Sequence, residues 1–227
     1  YAIGGKWTHF SNNEYYNLVV SRNHLQNKAE KYKDNISNPE NLLLNYVSEE
    51  IENKLRLESF QQKSSFKYSY GLAYEYVTYT NSTFNKTVAG NQVRVFDFSS
   101  DLSFQKFAAF GQVSRSFFSN RLTLSLGLRT DFNTYSSDMS NPTDQLSPRF
   151  SASYLLSEKW TLNFNTGRYF QLPPYTVLGF RDGEGTLVNK ENEITYIQSD
   201  HLVGGIAFLP NEFAKISVEG FYKQYDN

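Results

Sequence analysis

The segment at 121–132 has the most regular alternation of apolar and polar residues in the chain. Leucines occupy alternate positions at Leu122, Leu124, Leu126 and Leu128, and Phe132 continues the series two positions after Thr130. A period of two places these side chains on one face of a β-strand, whereas a helix would distribute them around its axis. The segment is longer than the usual soluble strand of about 5–6 residues. Its length matches the roughly 9–11 residues with which a tilted strand crosses a bilayer.

Further segments with strand-like patterns precede and follow this one. They lie at 51–58, 68–76, 104–117, 149–156, 160–165, 202–208 and 215–223, and residues 1–47 show a less regular mixture of strand and loop. Within that first region, the sequence Asn38-Pro39-Glu40 predicts a helix start, and therefore a short helix at 40–46. The spacing of Val47, Ile51 and Leu55 also fits a helix, but the hairpin-like pattern that follows favours a strand.

The connections between these segments alternate in length. The short ones lie at 60–66, 119–120, 157–159 and 210–212, and the long ones at 80–103, 133–145 and 171–196. Within the first long connection, the part at 92–98 also fits an extension of one of the flanking strands. Bacterial outer-membrane barrels have short turns on one side of the membrane and longer loops on the other. The pattern therefore predicts an all-β fold: an antiparallel transmembrane β-barrel segment, with about eight or nine strands of a larger barrel.

Aromatic residues are abundant, with 17 Tyr, 19 Phe and 2 Trp among 227 residues. Several of them lie beside the predicted short turns, where an aromatic girdle would meet one membrane interface: Phe117, Phe118, Trp160, Phe208 and Phe213. The ordinary preference of aromatic residues for strands is the alternative explanation. The position of these residues beside the turns favours the girdle.

Composition excludes several other classes of protein. The formal net charge is −1, which provides no electrostatic attraction to nucleic acid. The mean hydropathy is −0.55, and no apolar run approaches the ~18 residues of a membrane helix. Cysteine is absent, so the chain contains neither a disulfide framework nor a thiol site. A transmembrane barrel remains compatible with this low hydropathy, because about half of its strand residues face water.

The sequence contains no recognisable catalytic motif. His9, His24 and His201 are far apart and match no metal-binding spacing, and the signatures of serine hydrolases, P-loop proteins and zinc proteases are missing. The acidic positions Glu49, Glu50 and Glu52 are typical of a solvated strand edge. We therefore expect no enzymatic activity, no cofactor and no metal site.

The longest connection, at 171–196, is the best candidate for ligand recognition. It contains Tyr175, Phe180, Arg181 and Asp182, which combine aromatic surface with both signs of charge. Loops presented by a rigid scaffold commonly carry binding residues, and this combination suits a polar ligand. The run Asp182–Gly183–Glu184–Gly185 could offer oxygens to Ca²⁺, but it lacks the ligand number of a dedicated site and is typical of a flexible turn.

Four short motifs, in order along the chain, resemble segments of TonB-dependent receptors. They are Gly127-Leu128-Arg129-Thr130-Asp131, Leu146-Ser147-Pro148-Arg149-Phe150, Gly167-Arg168-Tyr169-Phe170-Gln171-Leu172-Pro173-Pro174, and Glu219-Gly220-Phe221-Tyr222-Lys223-Gln224-Tyr225-Asp226. The resemblance covers residues 48–227 and is greatest to the large receptors of Bacteroidetes-type bacteria. In that family a barrel of about 22 strands encloses a plug. We therefore expect residues 1–227 to be a partial barrel domain, lacking the plug and the segment that contacts TonB.

The resemblance implies an outer-membrane protein that imports a scarce nutrient by active transport. Its expected partners are outer-membrane lipid, the TonB complex through parts absent from this chain, and a small nutrient ligand, an oligosaccharide or a peptide. A passive porin-like channel and a soluble β-rich binding domain are the alternatives. No nucleic-acid partner is expected. An open sheet is also expected, with its first and last strands unpaired to each other.

Overall fold

A computed structural model describes residues 1–90 and 92–226, which form one antiparallel sheet of ten strands. Each strand pairs with the next one in the sequence. The strands are β1 (Ala2–Ser11), β2 (Glu14–Tyr32), β3 (Leu42–Lys63), β4 (Phe66–Ala89), β5 (Gln92–Phe117), β6 (Leu122–Asn133), β7 (Ser147–Leu155), β8 (Trp160–Gln171), β9 (Ile197–Asn211) and β10 (Ala214–Asp226). Two helices, α1 (Tyr175–Leu178) and α2 (Val188–Glu191), lie between β8 and β9.

The predicted all-β antiparallel architecture is confirmed, although the strands number ten instead of eight or nine. The additional strands come from the less regular region at 1–47, which contributes β1, β2 and the start of β3. Among the described residues, β1 and β10 do not pair with each other, so the sheet is open as expected. Each helix has four residues, and in the part of the chain that the structure describes none is long and apolar enough to cross a membrane.

The leucines of β6 define one of the two faces of the sheet, which we call the outer face. Leu126 and Leu128 are 59% and 52% exposed there, respectively. The alternate residues Arg129 and Asp131 lie on the opposite, inner face, and the cross-strand register continues this division from β1 to β10. The two faces that the alternation in the sequence predicts for β6 are therefore the two faces found in the structure.

The short helix predicted at 40–46 is wrong. Only Pro39–Asn41 form a turn of 3-10 helix, in which the Asn38 side chain accepts a hydrogen bond from the backbone N–H of Glu40. From Leu42 onward the chain is strand β3, and Leu44 pairs with both Lys31 of β2 and Asn85 of β4. Two neighbouring strands satisfy the backbone hydrogen-bonding groups here, and this outweighs the local helix signal.

The long loop predicted at 80–103 is also wrong, whereas the alternative strand extension at 92–98 agrees with the structure. Strands β4 and β5 continue through almost all of it, pairing from Phe66 and Arg115 to Ala89 and Gln92. Asn91, part of the predicted loop, lies outside the described residues. The many Ser, Thr and Asn residues that suggested a loop are compatible with strands of 24 and 26 residues. Both strands are about twice as long as a membrane crossing requires, so this hairpin extends well beyond the bilayer.

The other two long connections are confirmed as loops, at 134–146 and 172–196, and they lie at the same end of the sheet as the β4–β5 hairpin tip. The short turns lie at the opposite end, at 12–13, 64–65, 118–121, 156–159 and 212–213. Near them Trp160 and Phe208 stack with their ring centroids 4.3 Å apart, and Phe118 and Phe213 are exposed. This arrangement supports an aromatic girdle at the short-turn end.

The two ends of the sheet should lie on opposite sides of the membrane. Epitope tags inserted at Gly90, Asn141 and Gly185 are expected to bind antibody on intact cells, because all three lie at the long-loop end. Tags at Asn120 and Glu158, which lie in short turns, should become accessible only after the outer membrane is permeabilised. Surface labelling of one tag from each group would contradict this topology.

Candidate functional site

The hydrophobic core lies on the inner face, where the loop at 172–196 folds against β4 and β5. We call this segment the inner loop. One cluster of buried residues joins this loop to β4, to β5 and to the loop at 134–146. Its members are Val77, Tyr79, Leu102, Phe104, Tyr135, Met139, Tyr175, Leu178 and Tyr196. Within it, Tyr175 contacts Phe104 edge-on at 5.8 Å and Tyr79 at 6.1 Å between ring centroids. The inner loop is therefore packed onto the wall of the sheet.

Tyr175 also joins the inner loop to a group of charges on strands β3, β4 and β5. Its hydroxyl donates a hydrogen bond of 2.6 Å to Glu52, and Lys106 lies 3.4 Å from the same hydroxyl. Lys106 is 2.6 Å from Glu75, and Lys54 is 2.6 Å from Glu52. We call Glu52, Lys54, Glu75 and Lys106 the charged tetrad. Its two positive and two negative side chains balance one another in this half-buried group.

The tyrosines of the inner loop stay protonated under ordinary conditions. Burial, reinforced by the hydrogen bond to Glu52, raises the pKa of Tyr175 far above its usual range. Burial raises the pKa of Tyr196 to about 12. At neutral pH both hydroxyls are therefore neutral hydrogen-bonding groups, and the hydroxyl of Tyr175 remains a donor to the carboxylate.

The loop at 134–146 is attached to the inner loop by further hydrogen bonds. The Tyr135 hydroxyl donates to the backbone carbonyl of Leu178 at 2.7 Å, and the side-chain amide of Asn133, the last residue of β6 just before this loop, donates to the Tyr196 hydroxyl at 2.8 Å. Within the inner loop, the Asn189 amide donates to the carbonyl of Val177 at 2.7 Å and so connects α2 to α1. These bonds make the two long loops and the sheet one packed unit.

A cavity of about 430 Å³ remains between the inner loop and the sheet. Its lining includes Glu50, Glu52, Lys106, Asp131, Tyr175 and Tyr196. Aromatic rings together with charges of both signs can bind a small polar solute through charge-assisted hydrogen bonds and ring contacts. Among the described residues, no group of His, Asp and Glu could hold a metal ion. The cavity thus has the composition of a binding site.

The structure separates the four residues that the sequence predicts for ligand binding. Tyr175 is only 9% exposed and points into the core, where its hydroxyl binds Glu52. Phe180 is half-buried and contacts Phe98 edge-on at 5.4 Å. Tyr175 therefore borders the cavity, whereas Phe180 lies against the long β4–β5 hairpin.

Arg181 and Asp182 shape the turn at the far end of the inner loop. The Arg181 guanidinium donates to the backbone carbonyl of Gly185 at 2.6 Å. The Asp182 carboxylate accepts hydrogen bonds from the backbone N–H groups of Glu184 and Thr186, at 3.0 and 2.9 Å. One oxygen of Asp182 is thereby occupied within the turn.

The charged tetrad was not identified from the sequence. Glu52 and Lys54 are two positions apart on β3, but Glu75 and Lys106 are 23 and 54 residues further along the chain than Glu52. Only the register of three strands places Lys54 opposite Glu75, and Glu75 opposite Lys106. The one signal available was that all four charges occupy the polar positions of alternating strands.

An open ten-stranded antiparallel sheet, with an apolar outer face and long loops at one end, is the architecture of an outer-membrane β-barrel wall. The family model described as "TonB dependent receptor-like, beta-barrel" matches residues 1–227, so the chain belongs to this family. Members of the family are outer-membrane transporters and not enzymes. None of the curated proteins compared with the sequence matches it.

Solved structures of TonB-dependent receptors have the same fold. The copper transporter OprC matches with a TM-score of 0.70 and 18% identity, over 98% of this chain and 37% of OprC. A mutant of the ferric enterobactin receptor PfeA from Pseudomonas aeruginosa matches with a TM-score of 0.70 and 15% identity, over 100% of this chain and 34% of PfeA. The ferric yersiniabactin uptake receptor FyuA from Yersinia pestis matches with a TM-score of 0.65 and 10% identity, over 99% of this chain and 35% of FyuA. The chain thus spans about a third of the length of these proteins.

Proposed function

We propose that this chain forms part of the barrel wall of an active transporter that imports a scarce nutrient, with energy supplied through TonB. The observation that carries the proposal is the inner loop, which packs on the inner face and leaves a cavity of mixed apolar and charged lining beside Glu52 and Lys106 of the charged tetrad. Family membership supports it, as does the presence of copper and ferric-siderophore transport proteins among the structural neighbours. On this proposal, the plug and the segment that contacts TonB belong to parts of the receptor other than these residues.

The proposed ligand is a small polar nutrient, an oligosaccharide or a peptide. The inner loop would contact it at its outward end through Phe180, Arg181 and Asp182, while Tyr175 would hold the loop against the wall and border the cavity. Arg181 has guanidinium donors beyond the one bound to Gly185, and Asp182 has a second carboxylate oxygen. The closing motif at 219–226 supports membership of the Bacteroidetes-type receptors.

Uptake measurements test the transport mechanism. Cells that express the receptor from its own gene should accumulate the nutrient against its concentration gradient, and deletion of tonB should abolish this accumulation. Growth with each candidate nutrient as the limiting source identifies the substrate. Uptake that follows the gradient and is unchanged without TonB would overturn the proposal and indicate a passive channel.

Substitutions in the inner loop test the ligand contacts. The double variant Arg181→Ala, Asp182→Ala is expected to weaken binding of the identified nutrient by roughly tenfold or more, since each lost charge-assisted hydrogen bond contributes about 1.5–3 kcal/mol. Glu184→Ala is the matched control, because only its backbone N–H contributes to the turn. Equal affinity of the double variant and the control would exclude this end of the loop from binding.

A further inference from the structure

The outer face contains an apolar groove that crosses the first four strands. Its volume is about 560 Å³, and its lining includes Ile3, Gly5, Val20, Leu55 and Tyr74 together with the polar pair Arg22 and Asn53. Gly5, Val20, Leu55 and Tyr74 are direct cross-strand neighbours, so they form one row across β1 to β4. The groove therefore belongs to a defined place on the sheet.

A small residue in β1 leaves the groove open. A Cβ atom added at Gly5 would have no neighbour within 4 Å, whereas the flanking Ile3 and Val20 are 68% and 52% exposed. Towards the short turns, the same outer face continues into a larger apolar cavity of about 760 Å³, lined by Trp7, Leu18, Leu57 and Leu72 among others. An apolar path thus runs along the strands, with Arg22 at one end and Trp7 at the other.

Arg22 is the cation at the end of this path that lies nearer the long loops, and it has unused hydrogen-bond donors. One of its guanidinium nitrogens donates to the Asn53 side chain at 2.7 Å, and no carboxylate in the described part of the chain lies within ion-pair distance. Arg168, also on the outer face, differs because Asp200 binds two of its nitrogens, at 2.8 and 2.9 Å. Only Arg22 of these two has no anionic partner.

The position of Arg22 along its strand matches the border of the membrane. It lies eight residues beyond Glu14, where β2 begins after the first short turn. At a rise of about 3.3 Å per residue this is about 26 Å along the strand. With a strand tilt of about 35–45°, the corresponding height is about 20 Å, close to the roughly 25 Å of an apolar barrel belt. Arg22 therefore lies within about 5 Å of the long-loop border of the belt, and its long side chain can extend to the lipid headgroups there.

We propose that this groove is a binding site for one phosphate-bearing membrane lipid. The acyl chain lies on the row of Gly5, Val20 and Leu55, and the phosphate accepts hydrogen bonds from the free donors of Arg22. Guanidinium groups bind phosphate oxygens in pairs, and an apolar groove at a membrane-facing surface holds hydrocarbon. The lipid would cover the apolar face of strands β1–β4 and stabilise them, independently of any transported solute.

Native mass spectrometry of the receptor in an uncharged detergent tests the site, with phosphatidic acid, diacylglycerol and inorganic phosphate as separate probes. Wild-type receptor should bind one phosphatidic acid, whereas Arg22→Gln should bind it at least tenfold more weakly. Gly5→Leu should give a similar loss because its side chain fills the groove. Arg168→Gln is the matched control and should bind like wild type. Diacylglycerol and phosphate alone should each bind at least tenfold more weakly than the intact lipid.

Several results would overturn the proposal. Equal binding of phosphatidic acid by wild type and Arg22→Gln would exclude the headgroup site, and tight binding of inorganic phosphate alone would indicate an anion site without an acyl groove. All variants should retain the heat-sensitive gel mobility of a folded barrel, which separates lost lipid binding from misfolding. Because nutrient uptake is measured separately, failure here leaves the transport mechanism unaffected.

Discussion

Replacing Leu126 with Arg should lower the free energy of unfolding of the membrane-inserted receptor by about 2–4 kcal/mol. Leu126 lies in the middle of β6 on the outer face, and it is 59% exposed within the chain itself. We expect this exposed surface to be covered by hydrocarbon in the outer membrane. An arginine there must take its charge into hydrocarbon or distort the bilayer to reach water.

A matched substitution on the inner face separates lipid exposure from simple damage to the sheet. Ser151 lies on the inner face of β7, next to β6, and forms a direct cross-strand pair with Ser125. Ser151→Arg should reduce the free energy of unfolding by less than about 1 kcal/mol, since its side chain extends into the polar interior of the barrel and not into hydrocarbon. Denaturant titration in lipid vesicles measures both values. Equal losses for the two variants would contradict the lipid-facing assignment of the leucines.

Shortening Leu178 should release the inner loop from the sheet. This side chain at the end of α1 is fully buried in the core cluster. Leu178→Ala is expected to destabilise the packed loop by about 2–5 kcal/mol, because it removes apolar contacts and leaves a cavity. Hydrogen exchange of the amides at 172–196 should accelerate by about thirtyfold or more, since each 1.4 kcal/mol of opening free energy changes the rate about tenfold.

Thr176→Ala provides the control for this experiment, because Thr176 is exposed in the same helix. Its exchange rates should remain close to those of wild type. If the inner loop is the part of the site that encloses the nutrient, Leu178→Ala should also weaken nutrient binding, while the amides of β6 and β7 exchange as before. Unchanged exchange at 172–196 would show that the core cluster does not hold the loop in place.

The inner loop connects packing to the proposed transport function. Its apolar residues pack in the core cluster, and the Tyr175 hydroxyl donates a hydrogen bond to Glu52 of the charged tetrad. Movement of the loop away from the sheet would require both contacts to break. Nutrient binding in the cavity, which touches Tyr175 and Lys106, could therefore change the stability of the loop directly.

The sequence by itself determined that the chain forms antiparallel strands, which residues of β6 share a face, and the family to which the chain belongs. Strict alternation such as that of Leu122, Leu124, Leu126 and Leu128 is a local signal, because successive side chains of any strand point to opposite faces. Tight turns at 119–120 and 157–159 were equally local. These features need no knowledge of distant residues, and for this reason they were predicted correctly.

The tertiary structure decided the features that depend on pairing between distant segments. The 80–103 stretch is rich in Ser, Thr and Asn, yet it forms a hairpin because its two halves satisfy each other's backbone hydrogen bonds. Leu42 begins a strand instead of continuing a helix for the same reason. The inward position of Tyr175 and the assembly of Glu52 with Lys106 depend on register across three strands and on the folding of the inner loop. Side-chain contacts of this range arise only when the sheet is formed.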